Sequence, residues 1–274
     1  MNAAVISDQE FAQFQRFIFA AAGISLSPAK KALVSGRLAK RLQHHRLDSY
    51  GEYFRLLASG KDSAEVQTAV DLLTTNETYF FREPKHFDLL REQALAARKR
   101  AQAFRVWSAA SSTGEEAYSI AMVLADCLDG GQWEVTGSDI SARVLEKARA
   151  GHYSTERTQH IPPTYLQRFC LKGFGAQEGT LLVERSLRAR VKFLQVNLNA
   201  PLPHLGVFDV IFLRNVLIYF SAETKQQVVG RVLSLLKPGG YFCIGHSESL
   251  NGVTDAAQPL APSIYRKPQA DAAR

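Results

Sequence analysis

In the N-terminal quarter of the chain, apolar residues recur at helical spacing. Phe11, Phe14, Phe17 and Ile18 share one face, as do Tyr53, Phe54 and Leu57, with a turn around Ser59-Gly60-Lys61-Asp62. Between them, Ser27 to Arg46 reads as a helix capped by Ser27, opened by Pro28 and striped by Leu33, Leu38 and Leu42. A further helix is predicted from Pro84 to Arg100. Beyond it the pattern changes to short apolar runs alternating with helical segments: strand Arg105–Ala109, helix Glu115–Leu128, strand Glu134–Ser138, helix Ala142–Ala150. After an interval come strands Val191–Gln195 and Val210–Leu213, helix Ala222–Leu236, and strands Tyr241–Ile244 and Ser263–Arg266. Such alternation predicts an α/β fold, a parallel-rich sheet with helices on both faces. The interval, Ser154 to Arg190, breaks the rhythm. Its glycine-rich turn Gly173–Gly179, flanked by strand-like Arg168–Lys172 and Thr180–Glu184, reads as an inserted antiparallel β-subdomain. The predicted organisation is a helical domain over 1–73, a linker and connecting helix over 74–103, and an α/β domain over 104–274 carrying the β-subdomain at about 154–190.

Chemistry enters at the first strand–turn–helix unit. The run Trp107-Ser-Ala-Ala-Ser-Ser-Thr-Gly114-Glu-Glu116 leads into a helix, and the next strand ends in the acid Asp139. This order of elements holds a nucleoside: small residues let the backbone approach, and the acid accepts hydrogen bonds from both ribose hydroxyls. No Gly-x-Gly-x-x-Gly or Gly-Lys-Ser/Thr motif is present to bind a pyrophosphate or triphosphate. A phosphate-free nucleoside is therefore expected. S-adenosylmethionine is the common cofactor of that kind, which makes methyl transfer the expected reaction, with S-adenosylhomocysteine as product.

Four further segments sharpen the picture: Thr74-Thr-Asn-Glu-Thr-Tyr-Phe-Phe-Arg-Glu-Pro-Lys-His-Phe87, Gly137-Ser-Asp-Ile140 through Tyr153, Phe208-Asp-Val-Ile-Phe-Leu-Arg-Asn-Val-Leu-Ile-Tyr-Phe220, and Leu235-Leu-Lys-Pro-Gly-Gly through Ser249. Together with the Trp107 run, and in the same order from about residue 8 to 267, they resemble the chemotaxis receptor methyltransferases, the CheR family. The resemblance implies a Rossmann-like methyltransferase core and methylation of glutamate side chains on the cytoplasmic helices of chemoreceptors. It also implies roles. Asp139 and Glu116 are the acidic cofactor contacts, with Glu115 the weaker candidate. Asn197 and Leu198 lie beside the adenine, and Arg214 and Asn215 sit at the carboxyl edge of the sheet. Asn76, Thr78 and Arg82 reach the methionine end, and Tyr219 lies beside the transferring methyl. Arg82 has two readings that sequence leaves open, as a partner of the substrate carboxylate or of the cofactor carboxylate. In members that recognise a receptor C-terminal pentapeptide, a β-subdomain with a similar glycine pattern captures it, which assigns that role to the Gly173–Gly179 hairpin.

The charge balance supports a partner. The chain has 33 Lys and Arg against 26 Asp and Glu, a net charge of +7. No acid occurs between Phe11 and Leu47, where Arg16, Lys30, Lys31, Arg37, Lys40, Arg41 and Arg46 cluster. Arg37, Lys40, Arg41 and His44 are expected together on the solvent side of one helix, as a basic face toward the acidic receptor helix. A basic helix also suits nucleic acid. A nucleic-acid methyltransferase is thus one alternative, although Arg214-Asn-Val-Leu-Ile-Tyr219 stands where an Asn/Asp-Pro-Pro-Tyr-like motif would be expected, so nucleic acid is not the expected partner. A non-catalytic module that senses the nucleoside is the other. Cys127, Cys170 and Cys243 are too scattered for a disulfide framework, and the histidines lack metal-ligand spacing, so no metal is expected. No apolar run approaches the roughly 18 residues of a membrane span. The N-terminal Met1-Asn-Ala-Ala-Val-Ile-Ser-Asp8 lacks the basic start of a signal peptide. A cytoplasmic monomer is the expectation.

Overall fold

The computed structural model describes residues 5–128 and 130–269, so the expectation about the N-terminal leader falls largely outside the described residues. Four helices form the N-terminal domain: α1 (Asp8–Ala22), α2 (Lys31–His45), α3 (Tyr50–Ala58) and α4 (Ser63–Leu73). α1 opens with a capping box. Ser7 Oγ accepts from Glu10 N at 3.2 Å and the Glu10 carboxylate accepts from Ser7 N at 2.8 Å, satisfying two orphan donors. Ser49 and Asp62 cap α3 and α4 with their side chains, accepting from Glu52 N and Glu65 N. The start of α2 differs from expectation. Ser27 makes no side-chain cap, and Pro28–Lys30 form a 3₁₀ turn before the α-helix begins at Lys31. Its buried stripe is Val34, Leu38 and Leu42, a strict i, i+4 row, with Leu33 at the margin. These side chains close on Phe14, Ile18, Tyr53 and Leu73 to make the domain core.

After the linker, α5 (Lys85–Ala97) leads into β1 (Phe104–Ser108), α6 (Glu115–Cys127), β2 (Trp133–Asp139), α7 (Ala142–Ala150), β3 (His152–Ser154), α8 (Pro163–Phe169), β4 (Cys170–Lys172), β5 (Thr180–Val183), α9 (Arg185–Arg188), β6 (Val191–Gln195), β7 (Phe208–Leu213), α10 (Ala222–Ser234), β8 (Leu236–Ile244), β9 (Gln258–Ala261) and β10 (Ile264–Arg266). Seven strands form one sheet in the order β6-β2-β1-β7-β8-β10-β9. The first five are mutually parallel, and β10 runs antiparallel to both of its neighbours, β8 and β9. β9 was not legible in the sequence, because all four of its residues are exposed and carry no inward-facing alternation. Phe208 to Leu213 of β7 are wholly buried, as a central parallel strand covered on both faces requires. One face packs on α5 and α6 through Val106, Leu124 and Phe212, and the other on α10 through Trp107, Ile211 and Val228.

The inserted segment is a three-stranded antiparallel sheet, β3-β5-β4. The predicted hairpin β4–β5 is present, and β3 adds a third strand from beyond the expected boundary. Gly173 is required at its turn, since a Cβ there would stand 1.9 Å from Gln177 O.

Strand order reverses between β1 and β7, and ligands of open α/β sheets bind outside the carboxyl ends of the strands at such a point. The helical domain closes over this edge. Ser25 N donates to Tyr219 O at 2.8 Å, Asn197 Nδ2 to Ala21 O at 2.7 Å, and Asp71 accepts from Ala142 N and Arg143 N at the start of α7.

Candidate active site

The turn after β1 is held open toward the sheet edge by its own backbone. Ser111 N donates to Ser138 O at 2.7 Å, tying the turn to β2. Gly114 has φ +95, and a Cβ there would come 2.9 Å from Ala148 Cβ, so glycine is needed both for the left-handed backbone and for close contact with α7. Asp139 ends β2 beside this turn. Its Oδ2 accepts from Ser112 N at 2.9 Å and its Oδ1 from Ser141 N at 3.0 Å, leaving lone pairs on both oxygens for further donors. Burial raises the carboxyl to about 6 against the opposing pull of these backbone N–H groups, so it is an anion at neutral pH.

The linker crosses in front of the turn. Ser112 Oγ donates to Asn76 O at 2.8 Å, and the Asn76 amide reaches Thr74 Oγ1 at 3.2 Å. Thr78 O accepts from Arg157, which also pairs with Glu115. Arg82 is half-buried between two non-glycine residues in left-handed backbone, Phe81 (φ 54) and Glu83 (φ 58), conformations that local sequence alone disfavours. Its guanidinium bonds Glu77 O at 3.4 Å, lies 5.6 Å from the Tyr79 ring centroid, and pairs with no carboxylate among the described residues.

Arg214 has the opposite character. It is buried, with Nη1 2.9 Å from Glu116 Oε2, Nη2 3.1 Å from Glu83 Oε2, and a further bond to the Arg82 carbonyl. This side chain is committed to joining β7, α6 and the linker, and it orients Glu116 rather than offering a free cation. Ser108 Oγ bonds the other Glu116 oxygen at 2.7 Å. Burial still leaves Glu116 raised above the usual carboxylate range, with Arg214 opposing. Burial would raise Glu83 too, but Arg214 and the His246 backbone N–H prevail and hold it low. Glu115 bonds Thr113 and pairs with Arg157, away from the partners of Glu116.

These groups line a cavity with an empty volume, mouth included, of about 830 Å³. Asn76, Thr78, Arg82, Glu116, Asp139, Asn197, Leu198, Arg214, Asn215 and Tyr219 all border it, so every cofactor and catalytic residue expected from sequence reaches one place. Ala22, Ile24, Ile140, Val196, Leu198 and Phe220 supply apolar lining. Its chemistry fits an adenosine: one buried carboxylate for the ribose and an apolar slot for a base. Asn197 is less free than expected. Its Nδ2 donates to Ala21 O and its Oδ1 accepts from Asn199 N at 2.9 Å, so the amide bridges the domains. Asn215 (φ 57) donates its N–H to Glu248 Oε2 at 2.9 Å.

The basic face of α2 needs correction. Arg37 turns inward, with Nη1 bonding Leu73 O at 3.2 Å and Thr74 O at 2.9 Å, and Nη2 reaching Thr75 Oγ1 at 3.4 Å. Arg41 pairs with buried Glu65, whose carboxylate also takes the Tyr53 hydroxyl at 2.5 Å and His45 Nε2 at 3.1 Å. Only Lys40 and His44 of the expected four stand exposed. Sequence periodicity placed these residues on the face opposite the Leu stripe, but a long arginine reaches around a helix to a neighbour's carboxylate or carbonyl. Asp71 and Arg157 were missed altogether. Both are ordinary charged residues in sequence, and only the fold brings them against α7 and the linker.

The sequence matches the family described as CheR methyltransferase, SAM binding domain, over residues 76–265, and its companion, CheR methyltransferase, all-alpha domain, over residues 9–74. A chemotaxis protein methyltransferase of Escherichia coli (strain K12) is 45% identical over 249 residues, covering 90% of this chain and 86% of that one. Relatives of the same description in Salmonella typhimurium and Pseudomonas aeruginosa are 44% and 40% identical, covering 95% and 94% of this chain and 90% and 92% of theirs. The boundary between the two matched regions falls where α4 gives way to the linker, and the SAM binding region carries all of the cavity lining except Ala22, Ile24, Thr74 and Thr75. With helical domain, linker and nucleoside cleft all accounted for, the chain belongs to the CheR methyltransferase family.

Proposed function

We propose that this protein methylates glutamate side chains on the cytoplasmic helices of chemoreceptors, using S-adenosylmethionine held in the cleft at the β1, β2 and β7 ends. The observation that carries the reading is the buried Asp139 carboxylate, hydrogen-bonded to the turn and facing a cavity walled by the linker. When bound, the cofactor supplies an electrophilic sulfonium methyl. Asp139 accepts from the ribose hydroxyls, and Ile140, Val196 and Leu198 cover the base. Glu116, steadied by Arg214 and Ser108, is the carboxylate available to a cationic group of the ligand.

A substrate glutamate needs no general base, because its side chain, with a reference pKa of about 4.3, is already an anion at neutral pH. Positioning and exclusion of water then carry the rate. Arg82, with its guanidinium free of carboxylate partners at the cleft, orients a carboxylate there, and Tyr219 closes the opposite side. Too tight a pairing with the nucleophile would stabilise the ground state and slow the step, which gives Arg82 a second reading as the partner of the cofactor carboxylate. Kinetics of Arg82→Ala assign the carboxylate: a rise in KM for receptor marks the substrate, and a rise in KM for S-adenosylmethionine marks the cofactor.

The receptor helix meets α2 through Lys40 and His44, with Arg37 and Arg41 acting behind them. A receptor C-terminal pentapeptide adds to the exposed β4 edge of the β-subdomain, where Leu171 and Phe174 are 54% and 88% exposed. Among the arginines close in sequence, Arg168 is already paired with Asp126, which leaves exposed Arg185 as the better partner for a terminal carboxylate. Tethering there raises the local concentration of substrate without touching the chemical step. Incubation with radiolabelled S-adenosylmethionine and either a receptor cytoplasmic domain or nucleic acid tests the substrate class. Label is expected on the receptor alone, and label on nucleic acid alone would reverse the assignment.

A further inference from the structure

Glu83, His86 and His246 are distant or unremarkably spaced in sequence, yet one ligand atom from each lies within 4.8 Å of the other two. Glu83 lies in the linker just before α5, in left-handed backbone, His86 is in the first turn of α5, and His246 follows the carboxyl end of β8. His86 is fully buried, and its hydrogen bonds select its tautomer. The Ser263 hydroxyl donates to Pro262 O at 2.6 Å, so in its 2.8 Å contact with His86 Nε2 the serine oxygen accepts and Nε2–H donates. That leaves a bare lone pair on Nδ1, which has no hydrogen-bond partner and faces Glu83 Oε2 at 3.5 Å. His246 Nε2 lies 3.8 Å from the same oxygen, on a side chain half exposed to solvent. Two acceptors thus confront each other in the protein interior without a proton between them, an arrangement that a cation would satisfy.

We propose that Glu83, His86 and His246 form a binding site for one divalent transition-metal ion of the Zn²⁺ class. Imidazole and carboxylate donors suit such ions, whereas Mg²⁺ and Ca²⁺ are taken by sets of oxygens. Ser263 orients the buried imidazole through its other nitrogen, as partners of metal-bound histidines commonly do. Metal–nitrogen bonds of about 2.0–2.1 Å place two donors no more than about 4.2 Å apart, so the site closes by a small movement of the exposed His246 side chain. Arg214 Nη2 lies 3.1 Å from the same Glu83 oxygen and competes with the ion for that carboxylate. Occupation would therefore loosen the Arg214 pairing that also orients Glu116, placing the metal one step from the cofactor cleft.

The test uses the full chain, free of any affinity tag and stripped with a chelator. Calorimetric titration with Zn²⁺ should reveal one site that excess Mg²⁺ does not displace. His246→Ala, a surface change checked for folding by its circular dichroism and melting temperature, should weaken that site by roughly tenfold or more. Co²⁺ should give visible absorption bands in the parent that His246→Ala loses. His44→Ala/His45→Ala, which removes the other neighbouring pair of imidazoles, should leave both readouts unchanged. Absence of Zn²⁺ binding, equal binding by His246→Ala, or loss of binding in His44→Ala/His45→Ala would each overturn the proposal.

Discussion

Asp139 is the buried acid on which the cleft's affinity for a nucleoside depends. Its carboxylate loses water on folding and recovers only backbone N–H bonds, so its lone pairs are worth most to a ligand that brings donors. Replacing it by Ala should weaken S-adenosylhomocysteine binding by about 1.5–3 kcal/mol, roughly tenfold to a hundredfold, by calorimetry at pH 7.5. Unchanged affinity would remove the ribose assignment. A pH dependence follows from the same burial. The group titrates near 3.8 when unperturbed and at about 6 in the fold. Because the folded value is the higher, the carboxyl's contribution to folding is fully present below about 3.8 and is lost as pH rises through about 6 in the ligand-free protein. Ligand binding has the opposite slope, since ribose hydroxyls prefer the anion. Affinity for S-adenosylhomocysteine should fall below about pH 6, and Asp139→Asn should flatten that part of the profile. A parent profile that is flat between pH 5 and roughly 7.5 would contradict the assignment.

At the scale of elements, α2 carries two functions that its sequence does not separate. Arg37 bonds the two carbonyls at which α4 becomes the linker, and that linker walls the cleft. Arg37→Ala should therefore weaken S-adenosylhomocysteine binding as well as stability, the latter by about 1.5–3 kcal/mol for charged hydrogen bonds in a half-buried setting. Lys40→Ala should leave cofactor affinity untouched and lower receptor methylation, with a salt dependence set by the screening length of about 8 Å at physiological ionic strength. If Lys40→Ala impairs cofactor binding while Arg37→Ala does not, the division of labour is reversed. Arg41 tests the helical domain itself. Its partners hold Glu65 down to about 2, so the pair's contribution is present above the ordinary carboxylate value of 4.5 and is lost as pH falls toward about 2. Arg41→Ala leaves that buried carboxylate to the Tyr53 hydroxyl and His45 alone and should cost about 1.5–3 kcal/mol, the range for hydrogen bonds to a charged group, in urea unfolding. In the inserted sheet, deletion of Phe174–Gln177 should abolish binding of a receptor C-terminal peptide and spare S-adenosylhomocysteine binding. Equal peptide affinity in the deletion would dismiss the tether.

Across the whole molecule, what the sequence made legible and what it hid follow from the range of the forces involved. The strand–turn–helix–strand unit and its terminal Asp139 were readable because periodicity, a small-residue turn and a strand-end acid are all local signals. The helical domain was readable for the same reason, except where the Ser27-Pro28 start gave a 3₁₀ turn. Long-range charge pairing was not. Arg37, Arg41 and Arg214 look alike in sequence, and only tertiary packing makes the first a brace for the linker, the second a partner for Glu65 and the third a clamp between Glu83 and Glu116. The meeting of Glu83, His86 and His246 was invisible for the same reason. β9 escaped because an exposed edge strand needs no apolar alternation, and β3 because three residues give no period to detect.

The central claim is that this cleft delivers methyl groups to carboxylates of a receptor helix. Peptide mapping of a receptor cytoplasmic domain after incubation with the enzyme and S-adenosylmethionine tests it most directly. Methyl esters are expected on glutamate side chains, removed by mild base and sharply reduced when Asp139→Ala is assayed at subsaturating cofactor. Base-stable label, label confined to residues other than glutamate, or no label from a parent enzyme that binds S-adenosylhomocysteine normally would contradict it.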